Sequence, residues 1–173
     1  MERTLIVLKP DAMQRGICGE IISRFERAGL KMVAVKMVAP DKKHFHEHYE
    51  AISKLISRWG QDIYDIVLSQ MTETPVIAIV LEGVESVNHV RKMVGTTDPK
   101  VSAPGTIRGD YTHLTQAYTN ERNSTLPNIV HASGSVEEAK KEIELWFSKN
   151  EIYDYKATYQ ETVLGRVIKK SSK

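Results

Sequence analysis

The residue best placed to do chemistry is His131, in the run Asn128-Ile-Val-His-Ala-Ser-Gly-Ser135. The run reads as the end of a short strand feeding a capped helix. Backbone N–H groups and the positive end of a helix would then lie near the imidazole, which suits a phosphate. Glu142 follows on that helix, beside its apolar stripe, and can reach back to one ring nitrogen. Such a contact fixes the tautomer and leaves the other nitrogen free to attack an electrophile. Spacing alone leaves a second reading open, a structural histidine near an ordinary helix glutamate.

Cations that could meet a phosphate lie elsewhere in the chain. Arg91 and Arg108 flank a long irregular stretch with Thr97 between them, and Lys9 ends the first apolar run. Arginine forks bind phosphate oxygens in pairs, and hydroxyls can take the remaining ones. The alternative is a pair of surface salt bridges worth ~0–1 kcal/mol each. A third cluster, His44, His46 and His48, has only His44 and His48 on one helical face, so no three-ligand metal face results. It reads as a polar helix surface, with partial metal binding as the alternative. The sequence has no Walker loop, no G-x-G-x-x-G turn, no G-x-S-x-G elbow and no H-E-x-x-H pair. Any phosphate must therefore be held by side chains.

The elements that would position these residues follow from periodicity. Thr4 to Leu8 is a nearly continuous apolar strand closed by Lys9-Pro10-Asp11. Cys18, Ile21, Ile22 and Phe25 keep helical spacing up to Gly29, and Val33, Val35 and Met37 alternate as a second strand. Asp41 caps a long helical region through Phe45, Tyr49, Ile52, Ile56 and Trp59, broken at Gly60 and resumed over Ile63 to Met71. Val76 to Leu81 is a third strand, and a helix from Gly83 ends at Gly95. Thr96 to Tyr111 has no periodicity and reads as a functional loop. Asn128 to Val130 is a short strand, and Ser135 with Glu138 forms a capping box for the next helix, whose stripe is Val136, Ala139, Ile143, Trp146 and Phe147. This order is that of a ferredoxin-like βαββαβ core, an α/β (α+β) fold with a four-stranded antiparallel sheet and helices on one face.

Composition excludes several classes. The 173 residues carry 24 Lys+Arg against 22 Asp+Glu, a net charge of +2, with 41% hydrophobic residues. So balanced a charge implies neither nucleic acid nor anionic membrane as a partner. One cysteine, Cys18, rules out an internal disulfide framework and fits a reducing compartment. Apolar runs are too short for a signal sequence or a membrane span, so the expected location is cytoplasmic. Asn123-Ser124-Thr125 matches a glycosylation triplet that would matter only in a secreted chain, and Lys169, Lys170 and Lys173 read as a solvated end.

Several collinear motifs then narrow the reading. Glu2-Arg-Thr-Leu-Ile-Val-Leu-Lys9-Pro-Asp11, Gln14-Arg-Gly16, Gly19-Glu-Ile-Ile22 and Arg24-Phe-Glu26 closely resemble nucleoside diphosphate kinases. So do Glu47-His-Tyr49, Glu82-Gly83, Arg91-Lys-Met-Val-Gly95, Thr97-Asp-Pro99, Pro104-Gly-Thr-Ile-Arg-Gly-Asp110 and Asn128-Ile-Val-His131. The resemblance implies a phosphotransferase that moves the terminal phosphoryl group of a nucleoside triphosphate, typically ATP, to a nucleoside diphosphate. It implies a ping-pong route through phosphohistidine on His131, with Glu142 orienting the ring and Ser133 beside it. Lys9 and Asn128 match residues at the sugar end of the phosphates, and Arg91, Thr97 and Arg108 match phosphate ligands. Tyr49 matches a tyrosine lining the site. Mg²⁺ would be held mainly by the nucleotide phosphates, with no dedicated protein metal site. A homo-oligomer is implied, a dimer-based tetramer or hexamer, with no membrane and no dedicated nucleic-acid binding. The alternative from another class is a nucleotide- or nucleic-acid-binding regulatory module on the same fold, with little transferase activity.

The chain also departs from the pattern. Ala132 follows the histidine where Gly is usual, and Gly134 stands where Asp is common. Extra residues fall near 57–62 and 116–125, which puts Ile63 where a base-stacking Phe is common, with Tyr64 next to it. The kinase-like domain is expected over 1–155, followed by a tail of unusual sequence over 156–173.

Overall fold

The run Leu5–Leu8 has no polar face, and it becomes the middle of the sheet. The structure, a computed structural model, describes residues 1–122 and 124–165. Strand β1 (Glu2–Leu8) leads into α1 (Pro10–Gln14) and α2 (Cys18–Arg27). Strand β2 (Lys31–Val38) follows, then α3 (Lys42–His46), which runs on into a π-helical turn (Glu47–Ile52). Helices α4 (Leu55–Trp59) and α5 (Gln61–Met71) precede β3 (Val76–Gly83). Next come α6 (Ser86–Val94), a 3-10 turn (Pro99–Val101), α7 (Ile107–Tyr111), α8 (Gln116–Glu121) and β4 (Val130–Ala132). Helix α9 (Val136–Trp146), a 3-10 turn (Lys149–Glu151) and α10 (Gln160–Val163) complete the described chain.

The sheet order is β2-β3-β1-β4, with every neighbouring pair antiparallel. Strand β3 is thus inserted between β1 and β2, the ferredoxin-like arrangement. The helices, however, cover both faces of the sheet rather than one. Leu5 and Val7 point into a layer with Phe45, Tyr49, Tyr64, Met71 and Trp146, from α3, the π-helical turn, α5 and α9. Ile6 and Leu8 point the other way, onto Ile21, Phe25, Val90, Val94 and Ile107, from α2, α6 and α7. All four β1 residues are fully buried, which is why the run has no polar alternation.

Other boundaries also moved. The helix capped by Asp41, whose Oδ1 accepts from His44 N at 2.8 Å, does not reach Trp59 unbroken. It widens over Glu47–Ile52 and stops at Lys54, which has φ +57°. Gly83 ends β3 instead of starting a helix, and the loop 96–111 carries the Pro99–Val101 turn and α7. Strand β4 sits two residues later than the expected 128–130, so His131 lies inside it, paired with Val7. Past α9 the chain returns to β2, where Tyr153 N donates to Val33 O (2.9 Å) and Tyr155 Oη donates to Met32 O (2.8 Å). Asn123 of the glycosylation triplet, and Lys169, Lys170 and Lys173, lie outside the described residues.

Candidate functional site

Strand β4 ties His131 to the centre of the sheet, and α9 brings Glu142 back over it. The His131 ring donates from Nε2 to Glu142 Oε1 at 2.9 Å, so Nδ1 is the nitrogen left for chemistry. Glu142 is fully buried, and its second oxygen accepts from the Ser133 hydroxyl at 2.6 Å. Ser133 Oγ itself accepts from Leu5 N at 3.1 Å, which anchors the group to β1. Burial opposes the charge on Glu142. The imidazole of His131 and its hydrogen bond, His48 and the Ser133 hydroxyl outweigh that cost and hold its pKa at about 2.

The His131 side chain is 17% exposed, and it opens onto a cleft of about 780 Å³. Lys9, Tyr49, Arg91, Thr97, Arg108 and Asn128 line the same cleft, so the dispersed cations of the sequence do converge. Lys9 Nζ donates to Asn128 Oδ1 at 2.8 Å, and burial, helped by the charge of Arg108 against that of Asp11, lowers its pKa to about 8. Arg108 uses Nε on Asn128 O (3.1 Å) and its two terminal nitrogens on Gly95 O (3.1 Å) and Val130 O (2.6 Å). One guanidinium thereby holds three carbonyls and ties two backbone segments, at Gly95 and at Asn128–Val130, around the cleft. Burial and the neighbouring Arg91 pull its pKa down to about 10.

The backbone between Asn128 and His131 is strained. Ile129 is a buried β-branched residue with φ +71°. It is held there by two bonds: its N–H donates to Asp11 Oδ2 (2.8 Å), and its carbonyl accepts from Lys9 N (2.9 Å). The geometry turns Asn128 toward Lys9 and His131 toward the cleft. No periodicity signals a positive φ at isoleucine.

The π-helical turn is the second feature that sequence reasoning missed. An i to i+5 bond, Ser53 N to His48 O at 3.3 Å, marks the widened turn. Its residues His48 and Tyr49 are both buried, and both rings meet His131 edge to face, with centroids 4.5 and 6.3 Å away. The three histidines are therefore not a polar surface. His48 faces the site, His44 packs on Trp146 with centroids 4.5 Å apart, and only His46 is exposed. The Tyr49 hydroxyl is buried with no hydrogen-bond partner among the described residues, and burial raises its pKa.

The outer end of the cleft differs from expectation. Tyr64 does not face it: α5 turns this residue into the core, where its hydroxyl pairs with His46 Nδ1 at 2.9 Å. Ile63 instead lines a second cavity of about 400 Å³, together with Gly60, Asp62, Asn120 and Ser124. The stretches around 57–62 and 116–125 thus face one another across that cavity. Arg58, on α4, and Glu138, on α9, also line the main cleft; motif reading gave Arg58 no role and Glu138 only a helix-capping one. Glu138 Oε2 accepts from Gly134 N at 3.1 Å, and a Cβ at position 134 would run into that carboxylate. The space and charge that an Asp at 134 would supply are here supplied from one turn along α9.

Comparisons with known proteins agree with this geometry. A family model described as nucleoside diphosphate kinase matches residues 2–152. A nucleoside diphosphate kinase of Borreliella burgdorferi is 41% identical over 90% of this chain and 93% of its own. One from Pyrococcus furiosus is 44% identical over 90% of this chain and 88% of its own. Among solved structures, a transition-state mimic of the Borrelia burgdorferi enzyme with bound vanadate and ADP superposes with TM-score 0.89 at 40% identity, covering 93% of this chain and 95% of that one. The Halobacterium salinarum enzyme in complex with CDP gives 0.79 at 36% identity, covering 94% and 97%. No helix among the described residues is long and apolar enough to cross a membrane. With match, fold and cleft in accord over nearly its whole length, the chain belongs to the nucleoside diphosphate kinase family.

Proposed function

We propose that this kinase passes the terminal phosphoryl group from a nucleoside triphosphate to a nucleoside diphosphate through His131. The observation carrying this reading is the His131–Glu142 bond at Nε2, with Nδ1 left beside a cleft that gathers Lys9, Arg91 and Arg108. In the first half-reaction the Nδ1 lone pair attacks the γ-phosphorus, the bond to the β,γ-bridging oxygen breaks, and the diphosphate leaves. The ring keeps its Nε2 proton and becomes positive, which the buried carboxylate of Glu142 offsets. In the second half-reaction a β-phosphate oxygen of the acceptor attacks the phosphorus and the neutral imidazole returns. Both halves need the same oxygens positioned and neutralised, so one cleft serves both.

The other roles follow from position. Lys9 and Asn128 hold the inner phosphates and the sugar end, Arg91, Thr97 and Arg108 hold the phosphate chain, and Ser133 positions Glu142 without touching substrate. The nucleobase lies toward Leu55, Arg58 and Val67 of the cleft lining, and not against Ile63, which lines the second cavity. Mg²⁺ fits this cleft as part of the nucleotide complex: the lining is cationic, and Glu138 is its single carboxylate among the described residues. The ion would be held by the nucleotide phosphates, with Glu138 the carboxylate of the lining that could add to them, and would supply charge neutralisation there. A homo-oligomer is supported by the open edge of the sheet, where β2 leaves Val35 54% and Met37 63% exposed. A cytoplasmic location is supported by the free thiol of Cys18.

The decisive experiment is chemical. The protein is incubated with Mg²⁺ and γ-labelled ATP, stripped of nucleotide, and assayed for an acid-labile, base-stable label that ADP or GDP discharges. Absence of label, or equal label in His131→Ala, would overturn the proposal.

A further inference from the structure

His48 is a buried titratable residue that the phosphoryl-transfer scheme does not use, and two contacts define what it does. The first is with Trp146. An indole N–H can only donate, and it reaches His48 Nδ1 at 3.2 Å. Nδ1 therefore presents its lone pair, and the ring proton sits on Nε2. A doubly protonated ring could not accept that bond. Burial and the charge of His131 also push the His48 pKa down to about 3, with smaller contributions from His44 and Lys9 and an opposing one from Glu142.

The second contact is with Glu142. Its Oε1, the acceptor for His131 Nε2, lies 3.8 Å from His48 Nδ1. Two imidazoles thus flank one carboxylate oxygen, and a small rotation of His48 separates this spacing from a hydrogen bond. Only a ring with a proton on the facing nitrogen can make that bond. His131 has it, and His48 does not while the indole occupies Nδ1.

We propose that Trp146 and His48 form a tautomer lock: the indole N–H keeps His48 Nδ1 an acceptor, so His48 cannot draw Glu142 away from His131. Both are positioning residues, acting through the carboxylate. The inference rests on His131 being the phosphoryl acceptor.

A double-mutant cycle on the full chain tests it. Trp146→Phe removes the donor and frees His48 to carry its proton on Nδ1. Phosphorylation by Mg-ATP in a single turnover then slows about tenfold, while ADP affinity stays within twofold. In a His48→Phe background no competing donor exists, and the same Trp146→Phe change alters the rate by less than twofold. Nitrogen-15 NMR gives the signature that packing alone would not move: His48 carries its proton on Nε2 in the wild type and on Nδ1 in Trp146→Phe. Should Trp146→Phe fail to fold, replacement of Trp146 by its benzothiophene analogue keeps the shape and removes only the N–H. Equal slowing in both backgrounds, no slowing, or an unchanged His48 tautomer would each overturn the lock. The NMR arm needs no phosphoryl transfer. A label mapped to a residue other than His131 would therefore sink the acceptor reading, and the tautomer would still judge the lock.

Discussion

Replacing Glu142 by Gln removes one negative charge from behind the His131 ring, the proposed phosphoryl acceptor, and little else. The ring nitrogen and Oε1 are 2.9 Å apart. At an effective dielectric of about 20, a full charge pair at that distance is worth about 6 kcal/mol. Roughly half of the positive charge develops on the ring at the transition state, and the Gln amide oxygen can still accept from Nε2–H for about 1 kcal/mol. The loss is then about 2–3 kcal/mol, or about 30- to 150-fold in the phosphorylation rate. Glu142 is fully buried and does not line the cleft, so ADP affinity should change less than twofold. Quenched-flow measurement of labelled protein in a single turnover, beside equilibrium titration with ADP, separates the two effects. A rate loss below about threefold, or an affinity loss matching it, would refute the electrostatic argument.

Further outcomes follow from the same structure. With Lys9 lowered to about 8, kcat/KM for the triphosphate should decline above about pH 8 as its charge is lost, and Lys9→Gln should be slower throughout and lack that limb. His48 stays neutral in the fold to about pH 3, whereas the unfolded chain protonates it below 6.5. Stability should therefore fall as pH drops through that window, by about 2 kcal/mol between pH 6.5 and 5, and urea denaturation should show a shallower dependence for His48→Gln. Gly134→Ala should displace the Glu138 carboxylate and cost about 0.5–1.5 kcal/mol in thermal unfolding, an effect that vanishes in a Glu138→Ala background. Ile129→Gly relieves a left-handed conformation worth about 1–2 kcal/mol but empties a fully buried site worth about 2–5 kcal/mol. A net loss is expected, and a gain in melting temperature would show that strain outweighs packing.

What the sequence disclosed divides along physical lines. Strands and their order were legible because β1 and β3 are apolar runs bounded by turn residues, and amphipathic spacing revealed α2 and α9. That both faces of the sheet are covered was latent in the unalternating Leu5–Leu8. The arginines, Lys9 and His131 could be named from residue type and motif, but their convergence depends on chain crossings that spacing does not encode. Arg108 illustrates the gap. Motif logic marks it as a phosphate ligand, whereas three of its donors already hold backbone carbonyls. His48 was misjudged because a regular helix turns neighbouring residues about 100° apart, and the widened turn has no compositional signature. Ile63 and Tyr64 were both expected at the cleft, but α5 turns Tyr64 into the core and Ile63 toward the second cavity.

The widened turn also bears on where this chain can change length. Within Glu47–Ile52 the rotational phase of the helix is set so that two adjacent rings, His48 and Tyr49, look inward together. Losing one residue there would restore a regular helix and swing one ring away by about 100°. The stretch near 57–62 lies beyond Lys54, whose left-handed backbone has already ended that helix. Additions after this break leave the inward facing of His48 and Tyr49 intact, so the outer rim is free to drift in length while the inner wall is not.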